Sequence, residues 1–326
     1  MALYWRFSFL PEQNSNLFTF NFNVMKKLIK YISVFLLPII LMGFIFELLI
    51  RRIPNDYEYK KNYLDHHAEE VNTLFLGSSH VYYGIDPKYI KSSFNASYIS
   101  QSFDYDLEIL RKYEHKWKSL KYIVIPVDYF SFYGRLENSP EAWRAKNYRI
   151  YYDINTDHKI FNGTEMLSNK LGVNLTHLYS YYLKGENDIS CSNLGWGWSY
   201  KAVKHKNLIK SGTAAAARHT AKNNLQYAAN LHLLDEIIAF GEQKHIKILL
   251  FTSPAYKSYV SHLSKQQLNA TLSTIKKLNS AHQTIKYYNL LQDSTFQAQD
   301  FYDGDHLNEI GAKKLSLKMN VLLGKI

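Results

Sequence analysis

The chain has 326 residues, 46% hydrophobic and 21% charged, enough for one large α/β domain or two small ones. Its 39 Lys and Arg against 28 Asp and Glu leave a formal charge of +11. The lysines are scattered and no nucleic-acid motif accompanies them, so the charge is read as solubility plus attraction to anionic lipid or glycan. The single cysteine, Cys191, excludes an internal disulfide and a thiolate metal cluster, and neither metal nor cofactor is expected.

Residues 1–24 show no period. Met25 opens a run (MKKLIKYISVFLLPIILMGF) that reads as a natural protein start, so residues 1–24 are expected to be an upstream extension that is not translated. From Tyr31 to Ile50 the chain is apolar, broken only by Ser33, Pro38 and Glu47. Twenty helical residues rise about 30 Å, one bilayer core. Basic flanks and the lack of an A-x-A site favour a membrane anchor over residues 25–52 rather than a removed signal peptide. Lys26, Lys27 and Lys30 precede the span, and Arg51 and Arg52 follow it. A free amine at Met25 would tip this near-balance toward an inside N-terminus. The reading is a single-pass protein of the inner membrane with its domain on the extracytoplasmic side. Residues 53–70 read as a polar linker.

The domain begins at Val71. Strands are expected at Val71–Leu76, Ala96–Ile99, Lys121–Val127, Ile246–Phe251 and Thr284–Leu290. Helices are expected at Phe103–Trp117, Leu231–His245, Ser264–Ser280 and Glu309–Leu323. Alternating strands and helices imply a parallel sheet covered on both faces. Residues 134–225 break the rhythm and read as an inserted lid or subdomain.

Two segments carry chemistry. In TLFLGSSHVYYGIDP (73–87) a strand runs into a glycine and then a serine. A serine beyond the carboxyl end of a strand has an exposed hydroxyl, with backbone N–H groups near it. In DFYDGDHLNEIGAKKLS (300–316), Asp303 stands three residues before His306. That spacing lets the carboxylate hold one imidazole nitrogen and leave the other as a base. Asn308 is a suitable cap for the following helix.

Together these segments resemble the SGNH/GDSL hydrolase superfamily. Gly77-Ser78-Ser79 matches its first block and Asp303-Gly304-Asp305-His306 its last, over residues 71–326 apart from 134–225. The resemblance implies a flavodoxin-like three-layer sandwich with a parallel sheet, following one transmembrane helix. It also implies a triad of Ser79, Asp303 and His306 acting on acyl esters. Ser78 replaces the usual Asp, the second block (95–102) has no Gly, and Asp128 stands where the third block has Asn. An ionised Asp cannot donate a hydrogen bond. The oxyanion donors are therefore expected to be the N–H groups of Ser79 and Ser100 and the Gln101 amide. A single N-terminal span with G-S-S and D-x-x-H is also similar to envelope proteins of teichoic-acid D-alanylation and of exopolysaccharide O-acetylation.

The expected function is a serine esterase or O-acyltransferase working on acyl, chiefly acetyl, esters of a cell-envelope polysaccharide or lipid-linked glycan. Under the transferase reading, a partner integral membrane protein donates the acyl group. The alternative is a non-catalytic glycan-binding or assembly protein on the same scaffold. His80, Trp196, Trp198 and Tyr256 are candidate substrate contacts, the indoles as stacking surfaces for sugar rings, with the alternative that His80 is structural and the aromatic residues pack a lid onto its domain.

Overall fold

The structure, a computed structural model, describes residues 22–156 and 160–326. Residues 1–21, most of the expected extension, lie outside the described residues. The chain divides into two units, one ending at Arg52 and one running from Ile53 to Ile326. The first unit holds α1 (Phe22–Arg51), a single helix with Pro38 inside it. Its stretch Val24–Arg51 is long and apolar enough to cross a membrane.

The second unit opens with α2 (Asp56–His67), capped by Asn55, whose Oδ1 accepts from the N–H groups of Tyr57 and Glu58. This corrects the reading of residues 53–70 as a linker. Tyr57, Lys60 and Leu64 are buried, and Lys60 Nζ donates to the Ser97 carbonyl at 2.6 Å beneath the rings of Tyr82 and Tyr98. Burial pulls the Lys60 pKa down to about 8. Two of the three core-facing positions are Tyr and Lys, so the helix looked like solvated sequence.

The sheet comprises β1 (Thr73–Phe75), β2 (Ser93–Asn95), β3 (Tyr122–Pro126), β4 (Lys247–Thr252) and β5 (Ile285–Asn289), all parallel in the order 2-1-3-4-5. This is the flavodoxin-like order the resemblance implied. The second strand lies earlier than the expected Ala96–Ile99. Thr73, Leu74 and Phe75 pair with Ser93, Phe94 and Asn95. Ala96 N–H still bonds the Phe75 carbonyl, and residues 97–100 turn away through Ser100 at φ 60°.

Alternate strand residues feed opposite faces. Leu74, Ile123, Ile125, Ile248 and Leu250 join a core with α4 (Phe103–Lys112) and α9 (Tyr227–Gln243). Phe75, Val124, Leu249 and Phe251 join a second core with α3 (Ser79–Gly84) and α12 (Glu309–Leu323). Between β3 and α9 lie α5 (Ala145–Asn147), α6 (Glu165–Ser168), α7 (Leu171–Lys184) and α8 (Leu208–His219). Short α10 (Lys257–Val260) and longer α11 (Lys265–Ala281) follow β4. Among its described residues, the 134–225 stretch contributes helices, turns and isolated bridges, and no strand of the sheet.

Candidate active site

The site is built where β1 meets α3. Gly77 sits at φ +110°, and a Cβ there would lie 2.4 Å from Pro126 Cδ, so both backbone and space require glycine. Its N–H donates to Asp106 Oδ1 at 2.8 Å. The chain then enters α3 with Ser79 as first residue, half-buried at the rim of a cleft of about 480 Å³.

The loop between β5 and α12 brings His306 to it. Ser79 Oγ lies 2.8 Å from His306 Nε2, and His306 Nδ1 lies 2.9 Å from Asp303 Oδ1. The same Asp303 oxygen accepts from the His306 and Asp305 backbone N–H groups, fixing the loop as an Asp-centred turn. Asn308 caps α12 as expected, accepting from Ile310 and Gly311 N–H. Gly304 packs so closely on Gly212 of α8 that a Cβ would stand 2.1 Å from the Gly212 Cα. Tyr200 is stacked between Tyr83 and Tyr302 and meets His306 edge-on with centroids 5.5 Å apart. The inserted segment thus buttresses both sides of the histidine loop.

Three features were missed in the sequence. Asp305 Oδ1 lies 3.5 Å from His306 Nδ1, a second carboxylate on the imidazole. Arg218 and His219, at the end of α8, stand 3.7 and 3.9 Å from Asp305 Oδ2 and line the cleft. Asp128 accepts from His80 Nδ1 at 2.7 Å and from Ser253 N–H at 2.8 Å, and His80 Nε2 is 3.6 Å from Asp305 Oδ2. Buried Asp128, His80, Asp305, His306 and Asp303 form one chain of alternating acids and imidazoles. The two adjacent acids in DGDH were the available signal for Asp305. Arg218 and His219 gave none, because only the fold of the insertion brings them to the cleft.

Charge follows geometry. Burial alone would lower the His306 pKa, but Asp305 and Asp303 overcome it and push it up to about 10. His80 is likewise pushed up to about 9, Asp128 outweighing burial. Asp305 resists its own burial and is held well below the usual carboxylate range, chiefly by His306. Burial drives His219 the other way, down to about 3.

His80, Asp305 and His306 bring ligand-type atoms within 4.8 Å of one another. They do not make a good cation site. Both His306 nitrogens already face Ser79 and Asp303, and the Arg218 guanidinium sits beside Asp305.

Several candidate contacts lie elsewhere. His80 is buried under Asp128 and does not line the cleft. Trp196 is buried and its indole N–H donates to the Tyr83 carbonyl, so it packs the insertion onto α3. Trp198 is half exposed but outside the cleft, and Tyr256 lines a separate depression beside Phe301. Gln101 lines the cleft, yet its amide nitrogen is engaged by Asp106 Oδ1 at 2.5 Å and the Ala96 carbonyl at 3.4 Å, which leaves it no hydrogen for an oxyanion. The backbone N–H groups of Ser79 and Ser100 make no hydrogen bond among the described residues, and both residues border the cleft.

No family model and no curated protein matches the chain. Among solved structures it is similar to a candidate platelet activating factor from Streptococcus pneumonia, at 15% identity over 82% of this chain and 91% of that one, with a TM-score of 0.41. It is also similar to a GDSL-like lipase from Bacteroides thetaiotaomicron, at 11% identity over 83% and 99%, TM-score 0.41. A candidate acylhydrolase from Bacteroides fragilis gives 10% identity over 81% and 95%, TM-score 0.40. The chemistry of the site is read from its own geometry.

Proposed function

We propose that the protein is a membrane-anchored serine esterase or O-acyltransferase, acting on acyl esters, chiefly acetyl, of a cell-envelope glycan. The observation that supports this reading is the unbroken chain Ser79 Oγ, His306 Nε2, His306 Nδ1, Asp303 Oδ1, with steps of 2.8 and 2.9 Å. Ser79 attacks the ester carbonyl as His306 takes its proton on Nε2, and a Ser79 O–C bond forms. Asp303 fixes the ring and supports the imidazolium. The N–H groups of Ser79 and Ser100 receive the oxyanion. His306 returns the proton to the departing alcohol, leaving an acyl-Ser79 ester. Water or a glycan hydroxyl then attacks that ester.

The apolar helix α1 suits an anchor that keeps this domain near the outer face of the inner membrane. Lipid-linked glycans, or a membrane protein that donates acyl groups, would be within reach there.

A second reading, a non-catalytic glycan-binding or assembly protein, draws on one observation. The Gln101 amide and Asp128 are both committed elsewhere, so neither side chain serves an oxyanion. Intact-mass analysis of the full-length protein after incubation with 4-nitrophenyl acetate separates the two. The catalytic reading expects an acetyl adduct that Ser79→Ala lacks, and a glycan acceptor that speeds its discharge marks a transferase. An adduct that persists in Ser79→Ala would place the nucleophile elsewhere.

A further inference from the structure

The cleft holds a guanidinium that makes no close ion pair among the described residues, although its charge is felt by the buried Asp104. Arg135 follows β3 and lines the cleft with Ser79 and His306. Its Nε donates to the Asn230 Oδ1 at 2.9 Å, and it makes no ion pair among the described residues. Asn230 belongs to α9, is 1% exposed, and spends its own amide hydrogens on the carbonyls of Phe132 and Gly134 at 3.1 and 3.0 Å. One buried carboxamide therefore fixes the 132–134 turn and the plane of the Arg135 fork together. With Nε tied down, the two terminal nitrogens remain as paired donors.

Arg218 adds a second cation to the lining, with its side chain 54% exposed and its Nη2 3.7 Å from Asp305. Acids balance them only in part: Asp305 pairs with Arg218, and burial raises the pKa of Asp104 against the pull of Arg135. Glu141 is taken by Arg144 at 2.7 Å. Asp106 is buried with one oxygen bonded to Gly77 and Gln101, and burial raises its pKa to about 7.

We infer that Arg135, supported by Arg218, recognises an anionic group on the substrate, a carboxylate or a phosphate, lying in the same cleft as the scissile ester. A planar fork held at Nε presents two N–H donors matched to two oxygens of such a group. Substrates would therefore be esters of an acidic sugar or of a phosphate-bearing glycan or lipid carrier, rather than neutral esters. This inference rests on the esterase reading for the position of the ester, but its test does not require turnover.

Full-length Ser79→Ala in detergent is titrated calorimetrically with three acetyl esters, 4-acetoxybenzoate, 4-acetoxyphenyl phosphate and the neutral 4-acetoxybenzamide. Expected is at least about tenfold tighter binding of one or both anions than of the amide, consistent with a charge-assisted bond. That advantage should shrink with added salt and be lost when Arg135→Gln is added. The tighter of the two anions identifies the source as carboxylate or phosphate. Equal binding of the three esters, no binding of any, or an advantage that survives Arg135→Gln overturns the inference. A failed esterase reading shows separately, as wild-type protein that forms no acetyl adduct at Ser79.

Discussion

Asp305 presses a second carboxylate on His306, its Oδ1 3.5 Å from the imidazole Nδ1. Asp303 holds the same nitrogen at 2.9 Å and is the better placed of the two to orient the ring. Asp305 acts mainly on charge. The base must be neutral to accept the Ser79 proton, so kcat/KM should rise with pH along a limb displaced to the alkaline side of an ordinary histidine near 6.5. Other titratable or charged groups facing His306 are His80, the neutral His219 and, through Asp305, Arg218. Asp305→Asn removes the leading carboxylate contribution and should move the limb down by about one pH unit or more. A limb that stays in place in pH–rate profiles of the two proteins would show that Asp305 does not set the base.

Asp128 and His80 form a buried pair on which the nucleophile loop rests, because His80 follows Ser79 directly. His80→Ala strands the Asp128 charge, and removing one member of a buried pair costs about 3–5 kcal/mol. The folded pKa of His80, about 9, lies above the ordinary value near 6.5. The pair's contribution should therefore be fully present below about pH 6.5 and fade as pH climbs through 9. Denaturant melts at pH 6 and pH 10 should show wild type and His80→Ala drawing together at the higher pH. A constant difference would contradict the pairing.

Gly304 allows the histidine loop to touch α8. A methyl there would meet the Gly212 Cα at 2.1 Å and its N at 2.4 Å, backbone that cannot swing aside. Gly304→Ala should cost about 1–3 kcal/mol through overpacking and lower kcat at least tenfold by shifting His306. Gly172→Ala, in α7 with nothing within 4 Å of the added carbon, should be neutral or slightly stabilising. Thermal melts and kcat for the two variants check this contrast.

The helix α1 is expected to remain in the mature protein and to leave Ile326 outside the cytoplasm. A C-terminal reporter that works only in an oxidising compartment should be active. A silent reporter there, paired with an active cytoplasmic one, would reverse the topology and remove the envelope-glycan proposal.

The strongly periodic segments were legible in the sequence. Glu309–Leu323 lies where it was read, and the strands around Ile123, Ile248 and Ile285 shift by a residue or two. Ser79, Asp303 and His306 were legible because short motifs at the ends of elements carry them. The second strand was not, since Ser93-Phe94-Asn95 has one apolar residue and gains its place from pairing with β1. Nor was α2, whose buried Tyr57 and Lys60 imitate a polar linker. Trp196 and His80 were open to both a substrate-contact and a structural reading. An aromatic or a histidine beside a motif looks available until the fold supplies its partner, here the Tyr83 carbonyl and Asp128. Arg135 and Arg218 lay in a stretch with no alignable pattern, so only the folded chain could bring them to Ser79.

In the proposed mechanism Ser79 is a nucleophile activated by His306. Labelling the full-length protein with a fluorophosphonate probe, and mapping the modified peptide by mass spectrometry, tests it most directly. Expected is a single phosphonyl adduct on Ser79, absent in Ser79→Ala and formed at least about a hundredfold more slowly in His306→Ala, in line with the contribution of a general base. An unlabelled wild-type protein that is folded and monodisperse, or a label on any other residue, would contradict it.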